Sequence, residues 1–235
     1  MTTPLSAWTW KPSWTPDSRY VTYSSDHSGS MEIYRKPADG SGEAESVVPD
    51  ANSLWAGASW SPDGRHLAYT IGATTNDLMV FDVEQGGQPE VFVSTSAVEL
   101  FPTFSPDGRW IVYQSDESGT MEVYVRPFPG PGGKWQISRG GGGRAVWADD
   151  GTALYYVSKR KVINKVPITT QGDSLRAGRA TVAFEAEDEI QGSWDVDRDG
   201  SFVLSLRQSE EEAPEARATA LFVFNWSGEL DELVP

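Results

Sequence analysis

The chain has 235 residues, a net charge of −15 and no cysteine. The charge excludes nucleic acid and anionic membrane surfaces as partners by plain repulsion. The missing cysteines exclude disulfides, thiolate catalysis and cysteine metal sites.

The first recognisable unit is Ser13-Trp14-Thr15-Pro16-Asp17-Ser18-Arg19-Tyr20-Val21. It is an aromatic, a tight turn and the start of a strand. The second is Ser59-Trp60-Ser61-Pro62-Asp63-Gly64-Arg65-His66-Leu67, and the third is Thr103-Phe104-Ser105-Pro106-Asp107-Gly108-Arg109-Trp110-Ile111. Weaker copies follow at Val146–Leu154 and Asp195–Val203. The turn residues Asp17, Asp63, Asp107, Asp150 and Asp199 are spaced by 46, 44, 43 and 49 residues. A period in the forties in β-rich sequence predicts a propeller with four strands per blade. The turn chemistry agrees. Proline presets φ at the second position of a type I turn, aspartate suits the third, and glycine accepts the left-handed conformation that follows.

Within the second unit, 54–60 predicts an inner strand, 65–71 a second, 77–83 a third and 90–94 an outer one. Met31 to Arg35 and Met121 to Arg126 read as third strands of their own blades. The expectation is an all-β chain with a single domain over 1–235. Its five four-stranded blades fall at about 5–48, 51–95, 98–138, 140–184 and 190–235. The segment 210–219 contains Pro214, is mostly charged and predicts an exposed loop. No apolar run is long enough to span a bilayer, so no membrane insertion is expected. The N-terminal stretch Met1 to Trp10 lacks the charge and apolar pattern of a signal peptide.

Residues 105–130, from Ser105-Pro106-Asp107-Gly108-Arg109-Trp110 through Val125-Arg126-Pro127-Phe128-Pro129-Gly130, resemble the TolB-type, WD40-like propeller repeat. Together with Gly133-Lys134-Trp135-Gln136-Ile137-Ser138-Arg139-Gly140, they resemble more narrowly the C-terminal propeller of bacterial receptor-like serine/threonine kinases. Asn225-Trp226, Glu229-Leu230 and the final Val234-Pro235 continue that resemblance. It is strong from Phe101 to Phe184 and looser elsewhere. No kinase motif accompanies it, neither a glycine-rich nucleotide loop nor a His-Arg-Asp or Asp-Phe-Gly sequence. The resemblance implies a sensing or interaction module, binding a protein, small-molecule or glycan partner at one face of the ring. It also implies six or more blades against the five repeats counted, so the chain is expected to be either cut from a longer protein or a small stand-alone propeller. The location is then extracytoplasmic if the chain belongs to a receptor-like kinase, and cytoplasmic if its N-terminus is native.

The turn aspartates recur once per blade, which holds them apart, so a structural role is expected rather than acid–base work. Asp26-His27-Ser28-Gly29 and Asp116-Glu117-Ser118-Gly119 read as hairpin loops, too poor in spaced oxygen ligands for calcium. His27 and His66 are the only histidines and fall in different blades, so neither a metal site nor a cofactor is expected.

The more informative positions lie three residues before each inner aromatic: Lys11, Gly57, Phe101, Arg144 and Ser193. With Trp10, Trp55, Glu99 and Trp194 nearby, these predict a channel-mouth site for an anion or a sugar, built on charge-assisted hydrogen bonds and stacking. Trp14, Trp60 and Trp147 share one repeat position and are expected in the core, leaving Trp8, Trp10, Trp55 and Trp194 as platforms. The function expected is non-catalytic binding. Two alternatives stand beside it: a glycan hydrolase or lyase using Glu99, Glu189 and Asp195, and a purely structural interaction scaffold.

Overall fold

The computed structural model describes residues 9–26, 28–48, 58–72, 76–197 and 200–206. Among them there are nineteen strands and no helix. All strand pairings are antiparallel, and the sheets follow the repeat. The first blade is β1 (Thr9–Trp14), β2 (Tyr20–Ser25), β3 (Glu32–Pro37) and β4 (Glu45–Val48), paired in chain order. The second is β5 (Ser59–Trp60), β6 (His66–Ile71), β7 (Asp77–Asp82) and β8 (Glu90–Val93). The third is β9 (Glu99–Phe104), β10 (Trp110–Ser115), β11 (Glu122–Pro127) and β12 (Trp135–Gln136).

The fourth blade departs from the expected four strands. Its β13 (Gly143–Trp147) and β14 (Ala153–Ser158) lead to a ten-residue β15 (Val162–Gln171). The far end of β15 pairs with β16 (Ser174–Ala177), while its near end pairs with β17 (Thr181–Glu185). One strand too long for a single partner thus carries two. Two strands of the fifth blade are described, β18 (Ile190–Val196) and β19 (Phe202–Leu206). Residues 51–57 and 207–235 of the expected second and fifth blades lie outside the described residues.

The joint between the first two strands of each blade is the Ser-Pro-Asp-Gly turn. The N–H of Gly64 donates to the carbonyl of Ser61 at 2.8 Å, and Gly108 and Gly151 repeat this with Ser105 and Ala148. These glycines sit at φ near +70°. The first blade has Ser18 there instead, at φ 57°. A side chain in the left-handed region costs roughly 1 kcal/mol that glycine avoids. Ser18→Gly is therefore expected to raise stability by about 0.5–1 kcal/mol, read as a higher urea midpoint at unchanged slope. The fifth turn is one residue shorter, with Gly200 N–H on the Asp197 carbonyl and Asp197 N–H on the Ser201 carbonyl.

Apolar faces of neighbouring blades pack against each other, and the inner aromatics of the second, third and fourth blades lean on the blade before. Trp60 packs with Ile33, Val48, Leu67 and Phe81 across the first and second blades. Its Nε1–H donates to Thr22 Oγ1 at 2.8 Å. Phe104 packs with Ala68 and Val80 of the second blade. Trp147 packs with Trp110, Val112 and Val125 of the third, with its Nε1–H 3.4 Å from the Thr103 carbonyl.

Candidate functional site

Each fully described inner strand carries an irregularity at the same point. In β9, Leu100 pairs with Gln114 and Thr103 with Val112, so Phe101 and Pro102 together face one residue. In β13, Arg144 and Ala145 do the same between Gly143↔Val157 and Val146↔Tyr155. In β1, Lys11 and Pro12 occupy that place, and in β18, Gly192 and Ser193 are inserted there with no residue opposite them. A bulge of this kind bends the strand and re-aims a side chain. Phe101 and Arg144 adopt left-handed backbone there, at φ 56° and 52°. Of the positions singled out three residues before each inner aromatic, Lys11, Phe101, Arg144 and Ser193 fall at these irregularities.

The bulges do not bring those side chains into one site. Phe101 lines the central cavity, of about 590 Å³, where inner strands of the first, second, third and fifth blades converge, with Pro12, Trp14, Ala58, Trp194 and Asp195 among its walls. Arg144 lines a different cleft, walled by Gln114 and Met121 of the third blade, by the fourth blade, and by Ile190 of the fifth. The side chains of Trp10 and Lys11, and the whole of Trp8, Trp55, Gly57, His27 and Asp199, lie outside the described residues.

Two tryptophans exchange their expected roles. Trp14, expected in the core, is 54% exposed and lines the central cavity. Its repeat partners Trp60 and Trp147 pack on a neighbouring blade, whereas Trp14 belongs to none of the buried clusters among the described residues. Trp194, expected as an open platform, is only 7% exposed. It packs with Tyr155, Val157 and Ile190, and its Nε1–H donates to the Arg144 carbonyl at 2.9 Å. Only an edge of it reaches the cavity.

Glu99 is not a mouth residue. It is 0% exposed, and its Oε1 accepts the Thr95 hydroxyl while Oε2 has no partner. Burial, reinforced by Asp77 and Glu117, raises its pKa above the ordinary glutamate range. Asp195 does reach the cavity wall. Its Oδ1 accepts the Val196 N–H at 2.8 Å. Surrounding protein mass, then repulsion from Asp149 and Asp197, pushes its pKa up. Glu189 lies apart, 3.4 Å from Arg160 in an exposed pair. The three acids considered for a glycosidase do not converge, and among the described cavity walls Asp195 is the lone carboxylate.

The turn aspartates are tied to their own turns. Asp63 Oδ1 accepts the Ser61 hydroxyl at 2.5 Å and the Arg65 N–H at 3.0 Å. Asp17 and Asp107 repeat this arrangement, and Asp150 accepts both donors from Thr152. These bonds hold Asp17 and Asp63 below the usual carboxylate range. His66 packs edge-on against Phe128, with ring centroids 5.0 Å apart. No group of three or more metal-ligating side chains is found among the described residues.

Sequence reasoning passed over Lys159 and Arg160, which flank Arg144 in its cleft. The available signal was the very short join between β14 and β15, which forces a positive-φ turn.

No protein-family profile matches the chain. It is 31% identical over 97 residues to an uncharacterized protein of Agrobacterium fabrum, covering 41% of this chain and 32% of that one. It is 29% identical over 164 residues to the Tol-Pal system protein TolB of Francisella tularensis, covering 50% of this chain and 37% of that one. The matched regions thus span well under half the length of these relatives. Among solved structures, TolB from Acinetobacter baumannii superposes with a TM-score of 0.64 at 19% identity, over 85% of this chain and 49% of that one. A gluconolactonase from Xanthomonas campestris superposes at 0.63 and 15% identity, over 85% of this chain and 70% of that one. The fold is a β-propeller, and more particularly it is of the TolB-like kind. Propellers of this shape include both TolB proteins and enzymes, so the fold alone does not choose between binding and catalysis.

Proposed function

We propose that the chain is a non-catalytic binding module that takes a protein segment at the centre of its ring. The observation that supports this most is the character of the central cavity. Its walls are largely apolar, from Pro12, Ala58, Phe101 and Pro102, with a half-exposed Trp14 indole and one carboxylate, Asp195. An apolar pocket with a few fixed polar groups is the usual form of a binding site, and an exposed tryptophan is a common anchor at interfaces. The segment that fits carries an apolar side chain for the indole and a cation for Asp195. The resemblance of 101–184 to sensor propellers supports a place for this module in a bacterial signalling protein.

One observation favours the enzyme alternative, the raised pKa of Asp195 at the cavity wall. Glycoside hydrolysis needs two carboxyl groups on opposite sides of the bond, about 5–9.5 Å apart. Glu99 is sealed inside the protein and Glu189 faces Arg160, so neither supplies the second. The binding reading is therefore preferred.

The test is a thermal-shift screen of the whole chain against peptide and small-molecule libraries, followed by Trp14→Ala. A ligand at a hundredfold excess over its Kd adds about 2.7 kcal/mol of stability. The variant is expected to melt within a degree or two of the parent and to lose the ligand-induced shift. A midpoint several degrees lower, with the shift intact, assigns Trp14 to ring closure and overturns the site.

A further inference from the structure

The cleft around Arg144 is separate from the central cavity and does not depend on it. Arg144 is half-buried in a chain of net charge −15. Among the described residues, no carboxylate lies within ion-pair distance of it. Its Nη1–H donates to the Ile190 carbonyl at 3.1 Å, which is neutral. Burial and the neighbouring Arg160 both depress its pKa. A half-buried guanidinium that shares its cleft with a second guanidinium is an unfavourable arrangement on its own.

The turn that delivers Arg160 is also unfavourable on its own. Ser158-Lys159-Arg160-Lys161 closes with the Lys161 N–H on the Ser158 carbonyl at 3.2 Å. Both central residues have positive φ, 50° for Lys159 and 59° for Arg160. Turns of this kind favour Asn-Gly, because glycine and asparagine tolerate that backbone. Here two long cations occupy it. Tertiary bonds hold the turn in place. The Arg160 carbonyl accepts the Ile190 N–H at 2.7 Å, and the Lys161 carbonyl accepts the Ala186 N–H at 2.9 Å. Strain kept by surrounding structure is characteristic of functional positions.

The cleft between these groups has a volume of about 450 Å³, enough for a small molecule. Gln114 also lines it. Its carbonyl oxygen is taken by the Arg144 N–H at 2.9 Å, which leaves the amide NH₂ as a donor. Among the described residues, the one acid within ion-pair distance of Arg144, Lys159 or Arg160 is Glu189, 3.4 Å from the mostly exposed Arg160. Lys161 extends to the Glu187 carbonyl.

We infer that this cleft binds a small oxyanion-bearing ligand, a phosphate ester or a carboxylate, through Arg144, Lys159, Arg160 and the Gln114 amide. The anion relieves the repulsion between the two guanidinium groups and is held by charge-assisted hydrogen bonds. Phosphate and carboxylate share this chemistry, and the probes separate them.

The experiment is calorimetric titration of the full chain at about 0.05 M salt with inorganic phosphate, glucuronate and neutral glucose. Phosphate or glucuronate is expected to bind and glucose not. The stronger of the two anions identifies the class. Raising the salt to about 0.5 M shrinks the screening length severalfold and is expected to weaken binding at least tenfold. The double variant Lys159→Asn with Arg160→Gly is expected to melt higher than the parent, because its turn is relaxed, yet to bind the anion at least tenfold more weakly. Arg144→Gln is expected to lose binding as well. No heat with either anion at low salt, equal binding of glucose, or unchanged affinity in the double variant each overturns the inference. The Trp14→Ala protein keeps its anion binding, so failure of this site and failure of the central one are distinguishable.

Discussion

Glu99→Gln is expected to stabilise the protein at neutral pH by about 1–3 kcal/mol, the usual cost of a buried polar atom left without a partner. For a chain of this size that is a rise of about 2–4 °C in Tm per kcal/mol. Glu99 is 0% exposed, and its Oε2 and the Asp77 Oδ1 beside it are both buried and unpartnered. The two residues are brought together by the Glu99 N–H donating to the Asn76 carbonyl at 2.9 Å. Glutamine keeps an oxygen for the Thr95 hydroxyl and places an NH₂ donor where the orphaned oxygen stood.

The pH dependence has a fixed sign. Burial raises the folded pKa of Glu99 above its unfolded value, with Asp77 and Glu117 adding to the effect. The group therefore supports the fold fully below the unfolded pKa, and this support is lost as pH rises through the folded one. The amide does not titrate. The gap between variant and parent midpoints is expected to be small at about pH 4 and to widen toward pH 8. Asp195, raised in the same sense, titrates in both proteins and cancels from the difference. Equal gaps at the two pH values would mean that the folded and unfolded pKa of Glu99 coincide, so that burial does not hold it above its ordinary range.

The repeat was legible because its chemistry is local. Pro62, Asp63 and Gly64 each satisfy a backbone requirement inside one turn, and the same is true of Pro106, Asp107 and Gly108. The bulge was half legible: counting back from the inner aromatic finds Lys11, Phe101 and Arg144 at equivalent backbone places. Where their side chains go was not legible, because that depends on the neighbouring blade. Phe101 turns to the centre, while Arg144 turns to the seam with the fifth blade and bonds Ile190. Glu99 shows the same limit. Its sequence neighbours are compatible with an open mouth, and only the approach of the second blade through Asn76 buries it. Lys159-Arg160 looks like an ordinary solvated pair until the strand register forces both into positive φ.

Trp194→Ala is expected to cost about 3–5 kcal/mol, the range for removing a buried tryptophan. The damage is expected to be local. The fifth blade meets the fourth through Trp194, Val196 and Ile190 packed on Tyr155, Val157 and Ile163. Polar links run from Trp194 Nε1 to the Arg144 carbonyl and from Arg144 Nη1 to the Ile190 carbonyl. Removing the indole takes away the largest apolar contact of that seam and one of its hydrogen bonds. The third and fourth blades keep their own cluster around Trp110, Val112 and Trp147. Cooperative units of unequal stability open separately. Amides of β18 and β19 are therefore expected to exchange at least a hundredfold faster in the variant, while those of β10 and β11 change little under native conditions. Uniform acceleration across all blades would mean that the ring opens as one unit and that Trp194 contributes to global rather than local stability. Because β18 also carries Asp195 and the Ile190 carbonyl that anchors Arg144, loosening this seam is expected to weaken both the central cavity and the basic cleft. Trp14→Ala, which leaves the seam intact, affects only the first.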